Sequence, residues 1–226
     1  SVQEEAYITA VLLQVAQAVV SQNNLEDILD TIVHLMPILV GVDTCAVYLW
    51  DSKKSNIFIS NVMAPTHTEI QNSLRRSFLP GEFPLLDTIL TKDSQVVYPI
   101  VDSSVRISDW INLQSTDFSE TSAKEYSDCV LGFPLSIKGV VYGALIAQER
   151  NIQPAFHKKR IELMRGVAQQ IALAIQNEHL KEETVDRERM EKEFQLARAI
   201  QKSFLPKTIP ELEGWEFTIR WQTARE

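Results

Sequence analysis

The chain has 226 residues, 45% hydrophobic and 23% charged, which suits one soluble globular domain with an appendage. Its 30 acidic and 22 basic residues give a formal net charge of -8, which argues against a nucleic-acid-binding protein because phosphates attract a basic face. The longest apolar run, near residues 8–20, is interrupted by Gln14 and Gln17 and lacks a basic leader. We therefore expect no signal peptide, no membrane span and a cytoplasmic location.

Two amphipathic helices are predicted at the start of the chain. Apolar residues recur at helical spacing over residues 6–20 and again from residue 25. Asn23 or Asn24 supplies the N-cap of the second helix. Pro37 should bend or end that helix, and Gly41 should close it.

The hydrophobic period then changes from 3.6 to 2, which predicts strands. Residues 44–50 form the first, with Cys45, Val47 and Leu49 on one face, and residues 57–63 form the second. A polar turn between them predicts a hairpin. A short helix is expected over residues 66–76.

Residues 78–127 are irregular but rich in aromatic side chains. Within them we predict a short helix over 83–90, a strand over 95–101 and one helical turn around Trp110. Long irregular segments in compact domains are usually functional or disordered. Two interpretations stay open: a lid over a ligand pocket, and a packed structural cover.

A second hairpin is predicted from residues 129–137 and 140–147, joined by Lys138 and Gly139. Glycine accepts the positive φ that a tight hairpin turn requires. Both runs are almost entirely apolar, so this hairpin should lie centrally in the sheet with both faces buried.

One long helix is predicted over residues 157–205, because Gly166 is the only glycine and no proline occurs between Phe156 and Pro206. Such a helix would be roughly 70 Å long, so it must project or pair with a second copy. The first part of its seam should pack on the sheet or on a partner helix, and residues 181–193 carry ten charges in thirteen positions, which predicts a weak coiled coil. The predicted dimer-helix residues are Ile161, Met164, Ala168, Ile171, Ile175, Met190, Phe194, Ala197 and Phe204.

The order of these elements resembles that of a GAF domain, a sensor module related in architecture to PAS domains. The local matches are Gly132-Phe133-Pro134-Leu135, Lys138-Gly139, Gly143-Ala144-Leu145, Phe156 with Ile161-Glu162-Leu163, and Val167-Ala168-Gln169-Gln170-Ile171-Ala172. The resemblance implies an α+β fold with a GAF/PAS-like antiparallel sheet, flanking helices and a ligand pocket on one face. It assigns residues 1–160 to the sensor domain, whose last helix continues to about residue 180, and residues 161–205 to a signalling and dimerisation helix.

A second resemblance lies at the end of the chain. The matching motifs are Ala197-Arg198-Ala199-Ile200-Gln201, Ser203-Phe204-Leu205-Pro206, Ile209-Pro210, Gly214-Trp215 and Trp221-Gln222-Thr223-Ala224-Arg225-Glu226. They resemble the opening of stage II sporulation E-type serine/threonine phosphatases of the protein phosphatase 2C group, so residues 206–226 would begin a truncated phosphatase domain.

This second resemblance implies a regulatory fragment without catalytic residues of its own. In the family the first metal-binding aspartate follows just after the Ala-Arg-Glu equivalent, where this sequence ends. The missing domain is expected to use manganese or magnesium and to act on a phosphoprotein, such as a phosphorylated anti-sigma-factor antagonist. The fragment itself is expected to bind no metal or cofactor and to form a parallel homodimer through its first and last helices.

The ligand of the sensor domain is left open between an unknown small molecule and a protein. Candidate pocket residues are aromatic or apolar, as most small-molecule pockets require: Phe78, Phe83, Tyr98, Trp110, Cys129 and Phe133. Cyclic-nucleotide receptors, bilin attachment and haem each need a motif that is absent or weak here, although His67 could face a pocket. The alternative is a ligand-free GAF module for protein interaction and dimerisation. A free-standing methionine sulfoxide reductase would need cysteines in the lid.

Overall fold

The computed structural model describes residues 2–22, 24–73, 76–100, 105–113, 128–151, 154–205, 213–218 and 220. The chain divides into two compact units, Ser1–His179 and Leu180–Glu226. The first unit contains the sheet and the helices that pack on it. The second unit begins within the last helix.

Two helices precede the sheet, α1 (Val2–Ser21) and α2 (Leu25–Leu39). Asn24 is the N-cap of α2, as its side chain accepts a hydrogen bond from the backbone N–H of Asp27 at 2.8 Å. Pro37 lies inside the last turn of α2, and the helix ends two residues later. Gly41, at φ +80°, closes it through a 3.1 Å hydrogen bond from its N–H to the carbonyl of Met36, as predicted.

Six antiparallel strands form one sheet, in the spatial order β3-β2-β1-β6-β5-β4. The two predicted hairpins are confirmed, and both strands of the second hairpin are interior strands. Its turn places Lys138 at φ +51° and Gly139 at φ +81°, as a tight hairpin requires. Strand β3 was not predicted because two residues give no periodic signal. The bounds are β1 Thr44–Asp51, β2 Asn56–Met63, β3 Ser77–Phe78, β4 Val96–Ile100, β5 Asp128–Ile137 and β6 Val140–Glu149.

Within the described ranges, four further helical segments follow the first hairpin. They are α3 (His67–Ser73), α4 (Pro84–Lys92), the 3-10 helix η1 (Ile107–Asn112) and α5 (Pro154–Ser203). The 50-residue α5 confirms the predicted long helix. The helical turn predicted around Trp110 is η1.

Each face of the sheet carries its own hydrophobic core. On the helix face, side chains of β1, β5 and β6 pack with α1, α2 and residues 161–175 of α5. On the opposite face, which we call the cover face, β1, β2, β5 and β6 pack with α4, η1 and Phe78. Strand β1 alternates as predicted, with Cys45 and Val47 toward the helices and Ala46 and Tyr48 toward the cover. The predicted α+β class, with an antiparallel sheet, flanking helices and a long C-terminal helix, is confirmed.

Candidate functional site

The cover face holds a compact aromatic cluster against the centre of the sheet. Phe83, which precedes α4, is the hub: its ring centroid lies 5.6 Å from that of Tyr48 and 5.2 Å from that of Phe78, both edge-on. Phe83 is 1% exposed and Tyr48 is 2% exposed. Burial raises the pKa of the Tyr48 hydroxyl well above its usual range, an effect that the charge of Arg76 partly offsets. The space that a ligand would need at this point is occupied by these three rings.

Trp110 of η1 closes the cover further along the sheet. Its side chain is wholly buried, and its indole Nε1 donates a 3.3 Å hydrogen bond to Oε1 of Gln148 on β6. The side-chain amide of Gln148 in turn donates to the backbone carbonyl of Val105 at 3.2 Å. Among the described residues, 105–113 therefore form a packed cover that is hydrogen-bonded to the sheet.

The six predicted pocket residues do not share one cavity. Phe78, Phe83 and Trp110 belong to the cover-face core, and Tyr98 packs against it. Cys129 and Phe133 belong to the core on the helix face. Because β5 separates the two sets, Cys129 and Phe133 do not face the same side of the sheet as the other four, and the role of any of the six in ligand binding stays a prediction.

Three surface clefts lie around the edges of this first unit. The first, of about 310 Å³, runs between α4 and the first hairpin and includes Phe83 in its wall. The second, of about 320 Å³, lies between α3 and η1 and is lined by hydroxyl, amide, carboxylate and guanidinium side chains and by Ile107. The third, of about 390 Å³, lies beside α5 and includes Phe133. None of these three includes Phe78, Tyr98, Trp110 or Cys129 in its lining.

The side chains considered for holding a cofactor are those of His67, Cys45 and Cys129. His67 is exposed at the start of α3. Both cysteines are buried free thiols, and burial raises the pKa of Cys45 to about 12. Burial, followed by the negative charge of Glu149, raises the pKa of Cys129 as well. Within the described ranges no group of three or more His, Cys, Asp or Glu side chains is placed to hold a metal ion, and no helix is long and apolar enough to span a membrane.

Two functional candidates escaped the sequence reasoning. Gln148 and Glu149, at the end of β6, are both fully buried. Glu149 forms an ion pair with Arg160 in the first turns of α5, while Gln148 holds the cover. The signal was present in the sequence, because two polar residues end an otherwise apolar strand.

The predicted dimer helix divides into a buried and an exposed part. Ile161, Met164, Ala168, Ile171 and Ile175 are at most 9% exposed and belong to the core of the first unit. They pack on the sheet within one protomer, which is one of the two alternatives predicted for this part of the seam, and their role in a dimer helix stays a prediction. The later seam residues, Met190, Phe194, Ala197 and Phe204, are all exposed in the second unit.

Comparisons with known proteins agree with this architecture. Among solved structures, the nlh2 GAF domain of A. aeolicus in an inactive state has a TM-score of 0.58 at 9% identity, covering 77% of this chain and 99% of that one. The GAF domain of a phosphoenolpyruvate-protein phosphotransferase from Coxiella burnetii has a TM-score of 0.57 at 16% identity, covering 78% and 96%. A phycocyanobilin-bound GAF domain from a cyanobacterial phytochrome has a TM-score of 0.54 at 15% identity, covering 77% and 96%. At such identities the likeness shows the fold alone.

The search of curated proteins gives no match. The family model described as GAF domain matches residues 24–175, which is more than half of the chain. This match spans α2, the whole sheet and the buried part of α5. The chain therefore belongs to the GAF domain family.

Proposed function

We propose that this chain is the regulatory and dimerising region of a bacterial metal-dependent serine/threonine phosphatase that acts in signal transduction. The observation that carries the dimerising part of the proposal is an apolar seam left open in the second half of α5. Met190, Phe194 and Phe204 are 61%, 62% and 82% exposed, and they share a 4-3-4-3 spacing with Ala197 and Gln201. That spacing is typical of a coiled-coil seam.

A second copy of the same chain fits this seam best. Burying a large apolar side chain stabilises an assembly by about 1.5–3 kcal/mol, so three such side chains on each helix supply the energy for a dimer. A parallel partner offers the same residues in register, and two-fold homodimers are the commonest assemblies. Helix α1 presents a similar exposed seam, Ala6, Ala10, Leu13, Gln17 and Val20, which supports pairing through the first and last helices.

The middle of α5 contributes little to pairing. Over residues 181–193 the large exposed apolar side chains are Val185 and Met190. The Arg189–Glu193 ion pair, at 3.1 Å, is exposed at both side chains and so stabilises the helix weakly. A weakly held middle between two apolar ends suits a helix that transmits a change in crossing or register.

The phosphatase assignment rests on the sequence from Ala197 onward. The motifs there resemble the start of stage II sporulation E-type phosphatases, whose missing aspartates would bind manganese or magnesium and activate a water. The phosphoprotein substrate would be a phosphorylated anti-sigma-factor antagonist. The family match ends at residue 175. In the segment predicted to begin the phosphatase domain, 206–226, the structure describes residues 213–218 and 220, and the other residues lie outside the described ranges.

The dimer is tested by Phe194→Glu, with Gln195→Glu as its control. Both variants add one carboxylate to adjacent exposed positions, but residue 195 lies away from the seam. Sedimentation equilibrium should show a dimer for the parent and for Gln195→Glu, and a monomer or a much weaker dimer for Phe194→Glu. Equal association of all three chains would contradict the proposal.

The enzymatic part is tested on the natural protein extended through the next domain. We expect manganese-dependent release of phosphate from a phosphoserine protein by the extended chain, and none by these 226 residues. We also expect Phe194→Glu to change the rate of the extended chain and Gln195→Glu to leave it unchanged. An extended chain that hydrolyses no phosphoserine or phosphothreonine protein would contradict the assignment.

A ligand-free interaction module is the second candidate. It is favoured by the filled cover face, where Phe83 and Trp110 occupy the interior. It is also favoured by the position of both cysteines on the helix face, where neither thiol could attach a bilin that is held under the cover. Native mass spectrometry of the chain purified from its own organism should then give the mass of the polypeptide alone. An additional non-covalent mass would instead favour a small-molecule sensor.

A further inference from the structure

The end of strand β6 carries two adjacent buried polar residues that face opposite sides of the sheet. Successive side chains of a strand alternate between faces, so Gln148 points to the cover and Glu149 to the helices. Both residues are fully buried, and both are held in the ladder, Gln148 opposite Val130 and Glu149 opposite Cys129. A displacement of the strand at one of these side chains therefore moves the other.

On the cover face, Gln148 is hydrogen-bonded to two of the residues 105–113. Its Oε1 accepts from the indole of Trp110 at 3.3 Å, and its Nε2 donates to the carbonyl of Val105 at 3.2 Å. These two bonds use both ends of the amide. A buried amide that loses its partners is strongly disfavoured, so lifting the cover must shift Gln148 or let water reach it.

On the helix face, Glu149 holds the start of α5. Its Oε1 accepts from Nη1 of Arg160, and the side chain of Arg160 is 24% exposed. Its Oε2 lies 3.9 Å from the thiol of Cys129. The same guanidinium lies over Gly41, where an added Cβ would be 3.3 Å from Nη2. Arg160 therefore joins the first turns of α5 to both the sheet and the end of α2.

We propose that Gln148 and Glu149 form a relay that couples the closure of the cover, residues 105–113, to the attachment of the first turns of α5. With the cover closed, Gln148 is hydrogen-bonded at both ends of its amide, the strand end is fixed and Glu149 is positioned for Arg160. With the cover displaced, the strand end loosens and the ion pair opens. The relay rests on the proposed regulatory function, because α5 is the element that would carry the signal onward.

The relay is tested by hydrogen exchange of the full chain. Trp110→Phe removes the indole N–H and keeps most of the ring volume. The loss of one buried hydrogen bond is expected to raise exchange about fivefold in residues 105–113 and also in residues 158–165 of α5. Exchange in α2, residues 29–36, should stay unchanged and serves as the internal reference.

Ile107→Val is the matched control. Ile107 is also buried in η1, and removing one methylene loosens the cover by a similar amount without touching Gln148. It should raise exchange in residues 105–113 and leave residues 158–165 unchanged. The relay is overturned if both variants raise exchange in residues 158–165 equally. It is also overturned if Trp110→Phe raises exchange in the cover alone or in neither segment, or raises exchange in α2 as much as in α5.

Coupling must also work in reverse. Arg160→Met breaks the ion pair and should raise exchange in residues 105–113, whereas Arg165→Met, which removes a 2.6 Å hydrogen bond from the same helix to Gln95, should not. If Arg160→Met does not fold, Arg160→Lys is measured instead, with the same expectation at smaller amplitude. An unchanged cover in the Arg160 variant overturns the relay. The readout lies within the first unit, so its failure is separate from a failure of the proposed dimer, which sedimentation decides.

Discussion

The tightest backbone approach at the level of single residues lies between β6 and β1. A Cβ added to Gly143 would lie 1.9 Å from the carbonyl oxygen of Tyr48, and both strands are paired on each side, so moving them apart here would break backbone hydrogen bonds of the sheet. We predict that Gly143→Ala lowers the free energy of unfolding by about 3 kcal/mol, measured by urea denaturation. Gly139→Ala is the control: its Cβ meets open space, so only the strain of a positive φ remains, about 1 kcal/mol. Equal losses would show that crowding at Gly143 is not the cause.

The two thiols give a second residue-scale prediction. Burial raises the pKa of Cys45 to about 12, against a model-compound value of 9.0, and raises that of Cys129. A raised thiol pKa means that the folded state disfavours the thiolate, so this contribution to stability is complete below pH 9 and is lost as pH rises above it. At pH 8 iodoacetamide should therefore leave both thiols unmodified in the folded chain and modify both in urea, as read by mass spectrometry. Modification of either thiol at the unfolded rate in the native chain would contradict this prediction.

The sequence predicted residue types in the core better than the face each one occupies. In β1 the alternation of Cys45 and Val47 against Ala46 and Tyr48 was predicted correctly, because successive side chains of a strand point to opposite faces. In β5 every residue from Cys129 to Leu135 is apolar, counting glycine and proline, so the sequence pattern does not show which side chains face the helices and which face the cover. That is why the sequence grouped Cys129 and Phe133 with side chains that lie on the other face of the sheet.

At the scale of elements, α1 and α5 meet at the one glycine of the long helix. A Cβ on Gly166 would lie 2.5 Å from Cδ2 of Leu12, and Lys159 lies 3.9 Å from the ring centroid of Tyr7. Alanine would favour the helix by about 1 kcal/mol, but the overlap with Leu12 must be relieved by a shift of the Leu12 side chain or of α1. The sequence identified Gly166 as exceptional without giving this reason, because a contact between helices far apart in the chain leaves no local pattern.

This contact predicts a compensating pair of substitutions. Gly166→Ala and Leu12→Ala should each destabilise the chain, whereas the double variant should lose less than the sum, with a coupling of about 1 kcal/mol. Thermal and urea denaturation of the four chains measure the cycle. Leu12→Ala with Arg165→Ala is the control pair, since Arg165 is exposed and contacts Gln95 instead. Additive losses for Leu12 and Gly166 would contradict close packing at this point.

At the scale of the whole molecule, α5 is one continuous helix whose first and second parts make different packing contacts. Residues 161–175 belong to a hydrophobic core within one protomer, whereas residues 180–204 lie in the second unit and keep their large apolar side chains exposed. An isolated helix of this kind is marginal in water, because i, i+4 pairs contribute only about 0.2–0.5 kcal/mol each. The periodicity of the sequence predicted an apolar seam on each side of the charged middle but not what each seam packs on, since a heptad pattern is the same whether a helix packs on its own sheet or on another chain.

The two halves of α5 should therefore respond differently to protein concentration. Exchange in residues 161–175 should be slow and independent of concentration, because one protomer buries them. Exchange in residues 181–204 should slow as concentration rises through the equilibrium of the proposed dimer, with residues 181–189 remaining the fastest because their seam is charged. In Phe194→Glu this dependence should disappear while residues 161–175 stay protected. Protection of residues 181–204 that is equal at all concentrations would mean that something other than a second copy holds the helix.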